Sequence, residues 1–306
     1  MTGLELPAAA AGGACGGSAS ASNFINGSVS YNGDLNYSYC YDKGTYASLW
    51  TAYTLHFGQY VPTTTDYDSQ FRSKYSRPRY VYASSSDSWR SNPDTNIPAA
   101  DQVNVWSGSY GANFASGTYN EDTYKPVFMD GNTYARGHNI PGADRRNATG
   151  LEAQTYYATN STPQIQDRFN GGIWSSIEEV VRYSACKDKN GYLYVVTGPA
   201  FRKGTTAQNT TYIHPANDSG KTVPVPNYYW KVILKVKTDS DGNVTRASGI
   251  GFWIAHKESS SSSWFDFLTS IDQIEAWTGL DLFHNLPDSV ESTAEANSSW
   301  TTFTNF

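Results

Sequence analysis

The sequence predicts an α+β protein, with a central antiparallel sheet and flanking helices. Three observations carry this. Tyr192 to Thr197, Tyr228 to Val236 and Ile250 to Ala255 are β-branched and aromatic runs of strand length. Turn formers separate them, at Gly198-Pro199 and at Asp239 to Asn243, so the strands should be antiparallel neighbours. Helical periodicity appears at 166–183 and 270–278, in no regular alternation with the strands. In the first helix, Ile173, Ile177, Val180 and Val181 recur at helical spacing and predict a buried stripe. The second opens at Ser270 with Gln273 three residues on, a capping-box pattern, and stops at Gly279.

The 306 residues allow one large domain or two small ones. Aromatic residues make up 15%, which supplies a core and excludes wholesale disorder. No run approaches the ~18 apolar residues that span a bilayer. Residues 7–22 are small and of low complexity, so 1–22 is expected to be a flexible leader and 23–306 a single domain. Five serines from Ser259 to Ser263 predict a surface loop.

The net charge of −6 is uneven. Residues 258–306 carry eight acids and no Lys or Arg, whereas 1–257 hold 22 basic and 20 acidic residues. Acidity at one end leaves room for a polyanion partner at the other. Arg72, Lys74, Arg77 and Arg79, interleaved with Tyr75 and Tyr80, suit either a phosphate backbone with stacked bases or a solvated loop.

Three cysteines, Cys15, Cys40 and Cys186, form no CxxC pair, and a Cys40–Cys186 disulfide is left open. A surface rich in Ser, Thr, Asn, Gly and Tyr and poor in Lys favours export: secreted, periplasmic or cell-surface, from a bacterium, with the signal absent from this chain. Of eight Asn-x-Ser/Thr sites, one falls on Asn160, a candidate site residue.

The chemistry concentrates in 133–182. Arg136 and His138 flank Gly137, so in an extended segment both side chains point at one target. His138 can take a proton, Arg136 can grip an anion with its planar fork, and Gly137 permits close backbone approach. Asn160 lies in a polar, turn-prone stretch, Thr159 to Gln164. On a regular helix Asn170, Glu178 and Arg182 fall about 80° and 120° apart, one polar face suited to a hard cation beside a phosphate. An amphipathic helix with a Glu178–Arg182 pair at i,i+4 explains the same spacing.

Arg-Gly-His at 136–138, Thr-Asn-x-Thr-Pro-Gln at 159–164 and the Asn170…Trp174…Glu178…Arg182 helix, in this order, resemble the DNA/RNA non-specific endonuclease family of the ββα-metal superfamily, the Serratia-nuclease and endonuclease-G type. The likeness runs from about Leu35 to Glu291 and is similar in look to secreted nucleases of Bacteroides-type bacteria. It takes in Trp50 to Tyr53, Tyr194 to Gly198, Val223 to Pro226 with Tyr228 to Lys231, and Thr278 to Phe283 with Asn285 to Asp288.

The resemblance implies a ββα-metal active site and a Mg²⁺-dependent, sugar-non-specific endonuclease acting on DNA and RNA, with Mn²⁺ or another divalent cation able to substitute. It implies His138 as general base, Asn170 as the single protein ligand of the metal, and Glu178 as a ligand acting through water. Arg136 and Arg182 would bind phosphate, and Asn160 would orient the site. Two positions depart from the pattern: Ala135 stands where the family often has Asp, and Asp87 where it often has an upstream Arg. Arg90 is near but its match is open. Two other functions remain open, a catalytically inactive nucleic-acid-binding relative and an aromatic-rich glycan-active protein. The latter calls for paired carboxylates that these motifs do not hold. Oligomeric state and biological role are not legible.

Overall fold

A computed structural model describes residues 6–9, 23–56, 88–111, 113–114, 134–145, 148–187, 191–206, 208–257 and 263–306. Strands β1 (Phe24–Tyr31), β2 (Asp34–Asp42) and β3 (Ala47–His56) form a meander. A short pair, β4 (Tyr134–His138) and β5 (Ser161–Ile165), follows, with helix α1 (Thr149–Thr155) between them and helix α2 (Ser175–Lys187) after them. Strands β6 (Tyr192–Ala200), β7 (Tyr228–Thr238), β8 (Val244–Ala255) and β9 (Leu268–Thr269) complete the sheet. Helices α3 (Ile271–Thr278), α4 (Asp288–Glu295) and α5 (Trp300–Thr304) end the chain.

The central sheet has seven strands in the order β9-β8-β7-β6-β3-β2-β1, and every neighbouring pair is antiparallel. The three strands read from composition are β6, β7 and β8, and they lie side by side. β3 pairs with β6 from Thr51↔Thr197 to His56↔Tyr192, although the whole β4–α2 segment intervenes in sequence. That long excursion contains every candidate site residue.

Alternation along the strands divides the core in two. Tyr53, Leu55, Leu193, Val195, Tyr229 and Ile233 face one cluster, which takes Ile173, Ile177 and Val181 from the α2 region. Cys40, Trp50, Tyr194, Val196, Trp230 and Leu234 face the other, with Ile271 and Ile274 of α3 and Ala294 of α4. Each large side chain so buried contributes about 1.5–3 kcal/mol.

The 239–243 turn closes on Asp239, whose Oδ1 accepts from the Asp241 and Asn243 amides, with Gly242 at φ +87°. Helix α3 begins and ends as its sequence predicts: Ser270 accepts from the Gln273 amide at 3.2 Å, and Gly279 takes φ +74°. Gly198-Pro199, read as a turn, lies instead inside β6. β3 pairing stops at Thr197, so no ladder bond is asked of Pro199 on that side. A Cβ on Gly198 would overlap the Leu49 carbonyl, which makes glycine the residue that lets the strand continue.

Within the leader, Ala8 and Ala9 pair with Asp281 and Leu280, and Leu6 packs against the second cluster. Residues 1–5 and 10–22 of the leader, the basic stretch Phe71 to Tyr80 and most of the five-serine stretch lie outside the described residues. Cys40 is buried and disulfide-bonded. Among the described residues no helix is long and apolar enough to cross a membrane.

Candidate active site

β4 and β5 are antiparallel, with His138 opposite Ser161, Gly137 opposite Thr162 and Arg136 opposite Pro163. Gly137 lets the Gln164 side chain lie against the β4 backbone, because a Cβ there would run into it. Ala135, at the position where an acid was expected, sits opposite Gln164.

The extended backbone brings Arg136 and His138 to one target, and that target is Trp89. The His138 ring lies 4.6 Å from the Trp89 ring, centroid to centroid, and meets Tyr156 edge-on at 5.0 Å. The Arg136 guanidinium lies 5.5 Å from the Trp89 centroid and donates to the Val105 carbonyl at 3.1 Å. Trp89 is held in place through its neighbour. The Arg90 amide donates to the Tyr156 carbonyl, and the Ala158 amide donates to the Arg90 carbonyl. The Arg90 side chain turns back, its Nε donating to Ser88 O at 3.1 Å.

Asn160 is buried and its amide serves only main chain. Oδ1 accepts from the Ile140 amide at 3.0 Å, while Nδ2 donates to the Ile140 and Thr155 carbonyls at 2.9 and 2.8 Å. It ties the end of β4 to the end of α1, two residues from His138. It is a clamp on the site, and its burial leaves no room for a glycan.

Asn170 does not share a regular helix with Glu178 and Arg182. Residues 166–174 form a wide, irregular turn, with Asp167 extended, Arg168 at φ +57° and a break at Gly172, before α2 begins at Ser175. The angular arithmetic therefore holds for Glu178 and Arg182 but not for Asn170. A positive φ at a non-glycine residue is uncommon, and wide π-type turns gather at functional sites. Asn170 Nδ2 donates to Gln166 Oε1 at 2.9 Å, so its carbonyl Oδ1 is the oxygen turned elsewhere. The segment packs against β4, the strand of His138.

On α2, Arg182 Nη1 pairs with Asp144 Oδ1 at 2.8 Å, and Asp144 Oδ2 accepts from Tyr53 OH at 2.9 Å. Lys231 of β7, fully buried, joins them, with its Nζ 5.1 Å from the Trp174 ring centroid. Burial pushes the Glu178 carboxyl up and the Lys231 ammonium down, and their mutual attraction opposes both shifts. The result is a charge-balanced group in which Asp144, Arg182 and Lys231 are buried and Glu178 is half-buried. Asp144 is already bonded to Arg182 and Tyr53, so it is poorly placed to hold a metal.

Sequence reasoning missed Trp89, Tyr156, Asp144 and Lys231. One signal was present for Lys231. It is the one cation in the otherwise apolar run Tyr228 to Leu234, at an inward position between Tyr229 and Ile233 in the alternation. Trp89 and Tyr156 carry no such mark, because only folding brings them to His138.

Comparison with known proteins identifies the family. The chain is 28% identical to a nuclease of Nostoc sp. over 174 residues, 56% of this chain and 58% of that one. It is 26% identical to the nuclease of Serratia marcescens over 65% and 68% of the two chains. It is also 26% identical to mitochondrial nuclease 1 of Schizosaccharomyces pombe over 51% and 48%. The chain thus spans about half the length of several curated relatives it matches. The crystal structure of an EndoG/EndoGI complex shares the fold, with a TM-score of 0.51 at 16% identity over 87% of this chain and 89% of that one. The sequence profile described as DNA/RNA non-specific endonuclease matches residues 19–289. A match over so much of the chain sets aside the glycan-active alternative, and this protein belongs to the DNA/RNA non-specific endonuclease family.

Proposed function

We propose that the chain is a Mg²⁺-dependent endonuclease that hydrolyses phosphodiester bonds in both DNA and RNA, with His138 as general base. The convergence of His138 and Arg136 on Trp89 carries this reading. A proton acceptor and an anion-binding fork stand side by side, on a strand whose end is fixed by Asn160.

In this reading His138 takes a proton from the attacking water as its oxygen bonds to phosphorus and the bond to the departing ester oxygen breaks. Arg136 holds a non-bridging phosphate oxygen. Water, and not a ribose hydroxyl, is the nucleophile, so the 2′-hydroxyl is not needed and both sugars are accepted. Asn170 through Oδ1, and Glu178 through water, would hold the cation; an amide oxygen and a carboxylate are the oxygen donors that Mg²⁺ takes. When bound, the ion supplies charge relief at the phosphate and at the departing oxygen. Arg182 is a positioning residue: its bond to Asp144 fixes the α2 turn that presents Glu178.

A polyanion substrate suits an acidic chain here because the acids of α3 and α4 line the opposite face of the sheet from His138. Export fits the disulfide at Cys40, since disulfides persist in oxidising compartments. The test is to incubate plasmid and single-stranded RNA with the protein and Mg²⁺, with and without chelator. Metal-dependent cutting of both is the result expected. Binding without cutting would overturn the proposal in favour of an inactive relative.

A further inference from the structure

We propose that Asp272, Glu275 and Glu295 form a second cation site that takes Ca²⁺ and pins helix α4 to helix α3. Each offers one carboxylate oxygen, and these oxygens lie within 4.8 Å of one another. Ca²⁺ binds oxygen at ~2.3–2.6 Å, so ligands on opposite sides of it are about 4.6–5.2 Å apart and the cluster fits inside one shell. Mg²⁺ is smaller, keeps most of its waters and is usually held by one or two carboxylates, so three suit it less well.

The three carboxylates differ in setting. Asp272 is exposed, Glu275 is half-buried and Glu295 is only 5% exposed. Glu275 Oε1 accepts from the Leu282 amide at 2.6 Å, which orients that carboxylate and leaves its other oxygen available. Glu295 Oε1 is buried with no hydrogen-bond partner. A buried carboxylate oxygen without a partner is costly and calls for a ligand. The neighbouring charges make this sharper: Glu291 and Asp281 also act on Glu295, and among the described residues no Lys, Arg or His forms an ion pair with the three.

The position gives the ion work to do. Helix α4 packs on β8, and Asn297 just beyond it donates to the Gly249 carbonyl at 2.8 Å. α3 is seated by Ile271 and Ile274 on the same face. A cation between the helices would fasten the C-terminal segment to the sheet, on the face opposite His138. Its role is stability, and it is independent of the cleavage reaction.

The test is thermal unfolding of the full, chelator-stripped chain as CaCl₂ is added, with calorimetric titration alongside. At a hundredfold excess over Kd the unfolding temperature should rise by about 5 °C. Asp272→Asn, at an exposed position, and Glu295→Gln should each lose this rise and retain Mg²⁺-dependent plasmid cutting. Asn170→Ala should retain it. A chain whose unfolding temperature ignores Ca²⁺ would show that Glu295 is simply protonated, and would overturn the site. So would a rise that persists in both carboxylate variants, or one that vanishes in Asn170→Ala.

Discussion

Arg182 Nη1 donates to Asp144 Oδ1 at 2.8 Å, and both side chains are shut away from solvent. This pair links α2 to the turn after β4, and Tyr53 of the sheet completes the Asp144 carboxylate. Removing one partner leaves a buried charge uncompensated, at about 3–5 kcal/mol. Asp144→Ala and Arg182→Ala should therefore both lower the urea midpoint strongly. A loss below about 1 kcal/mol in either would show that the pair is not structural.

His138→Ala should cut less by about 10²-fold or more, the lower end of general acid–base contributions, with an unchanged circular dichroism spectrum. Its ring packs on Trp89 and Tyr156 but makes up little of the core. A folded variant that keeps most of its activity would remove His138 from the mechanism.

Asn170→Ala should raise the Mg²⁺ concentration needed for half-maximal cutting, while affinity for DNA in chelator stays within about twofold. Affinity for a polyanion comes from cations that release counterions, and Asn170 is neutral. Equal losses in both measurements would make Asn170 a substrate contact instead of a metal ligand.

His256 sets an acid limit on stability. Its Nε2 accepts from the Ile165 amide, its Nδ1 faces the Pro226 carbonyl, and burial holds its pKa down at about 3. The unfolded chain takes up this proton from about pH 6.5 downward while the folded chain does not, so stability falls between pH 6.5 and about 3. At pH 5 the loss is about 2 kcal/mol. His256→Gln keeps one donor and one acceptor and has no such proton. The stability difference between wild type and variant should drift against wild type as pH falls from 7 to 5. A pH-independent difference would refute the assignment.

Cys40 is disulfide-bonded and points into the second core cluster. The expected partner is Cys15, and Leu6 already packs against the second cluster. Mass mapping of a non-reduced digest should yield a Cys15–Cys40 peptide pair. A Cys40–Cys186 pair would overturn this.

Strands β6, β7 and β8 were legible because each is a β-branched and aromatic run, and α3 because Ser270 and Gly279 mark both ends. The continuation of β6 through Gly198-Pro199 was not, because it depends on where β3 stops pairing. Within the site, the Arg136–His138 juxtaposition followed from strand alternation alone. The Asn170 placement did not, since a left-handed Arg168 and a break at Gly172 interrupt the helix that periodicity suggested. Asp144, paired across 38 positions with Arg182, and Trp89, packed on a histidine far along the chain, leave no local trace.

The charge-balanced group has a consequence for the order of events in synthesis. Its members are Asp144, Glu178, Arg182 and Lys231, with Tyr53 bonded to Asp144, so it draws on β3, the turn after β4, α2 and β7. The Arg-Gly-His segment leaves the ribosome well before β7. Until that strand has emerged and paired with β6, Glu178 and Asp144 lack the cation from the sheet. A growing chain is thus built in an order that withholds the finished geometry. On the proposed reading, in which RNA is a substrate, that order would keep the unfinished chain from cutting the RNA beside it.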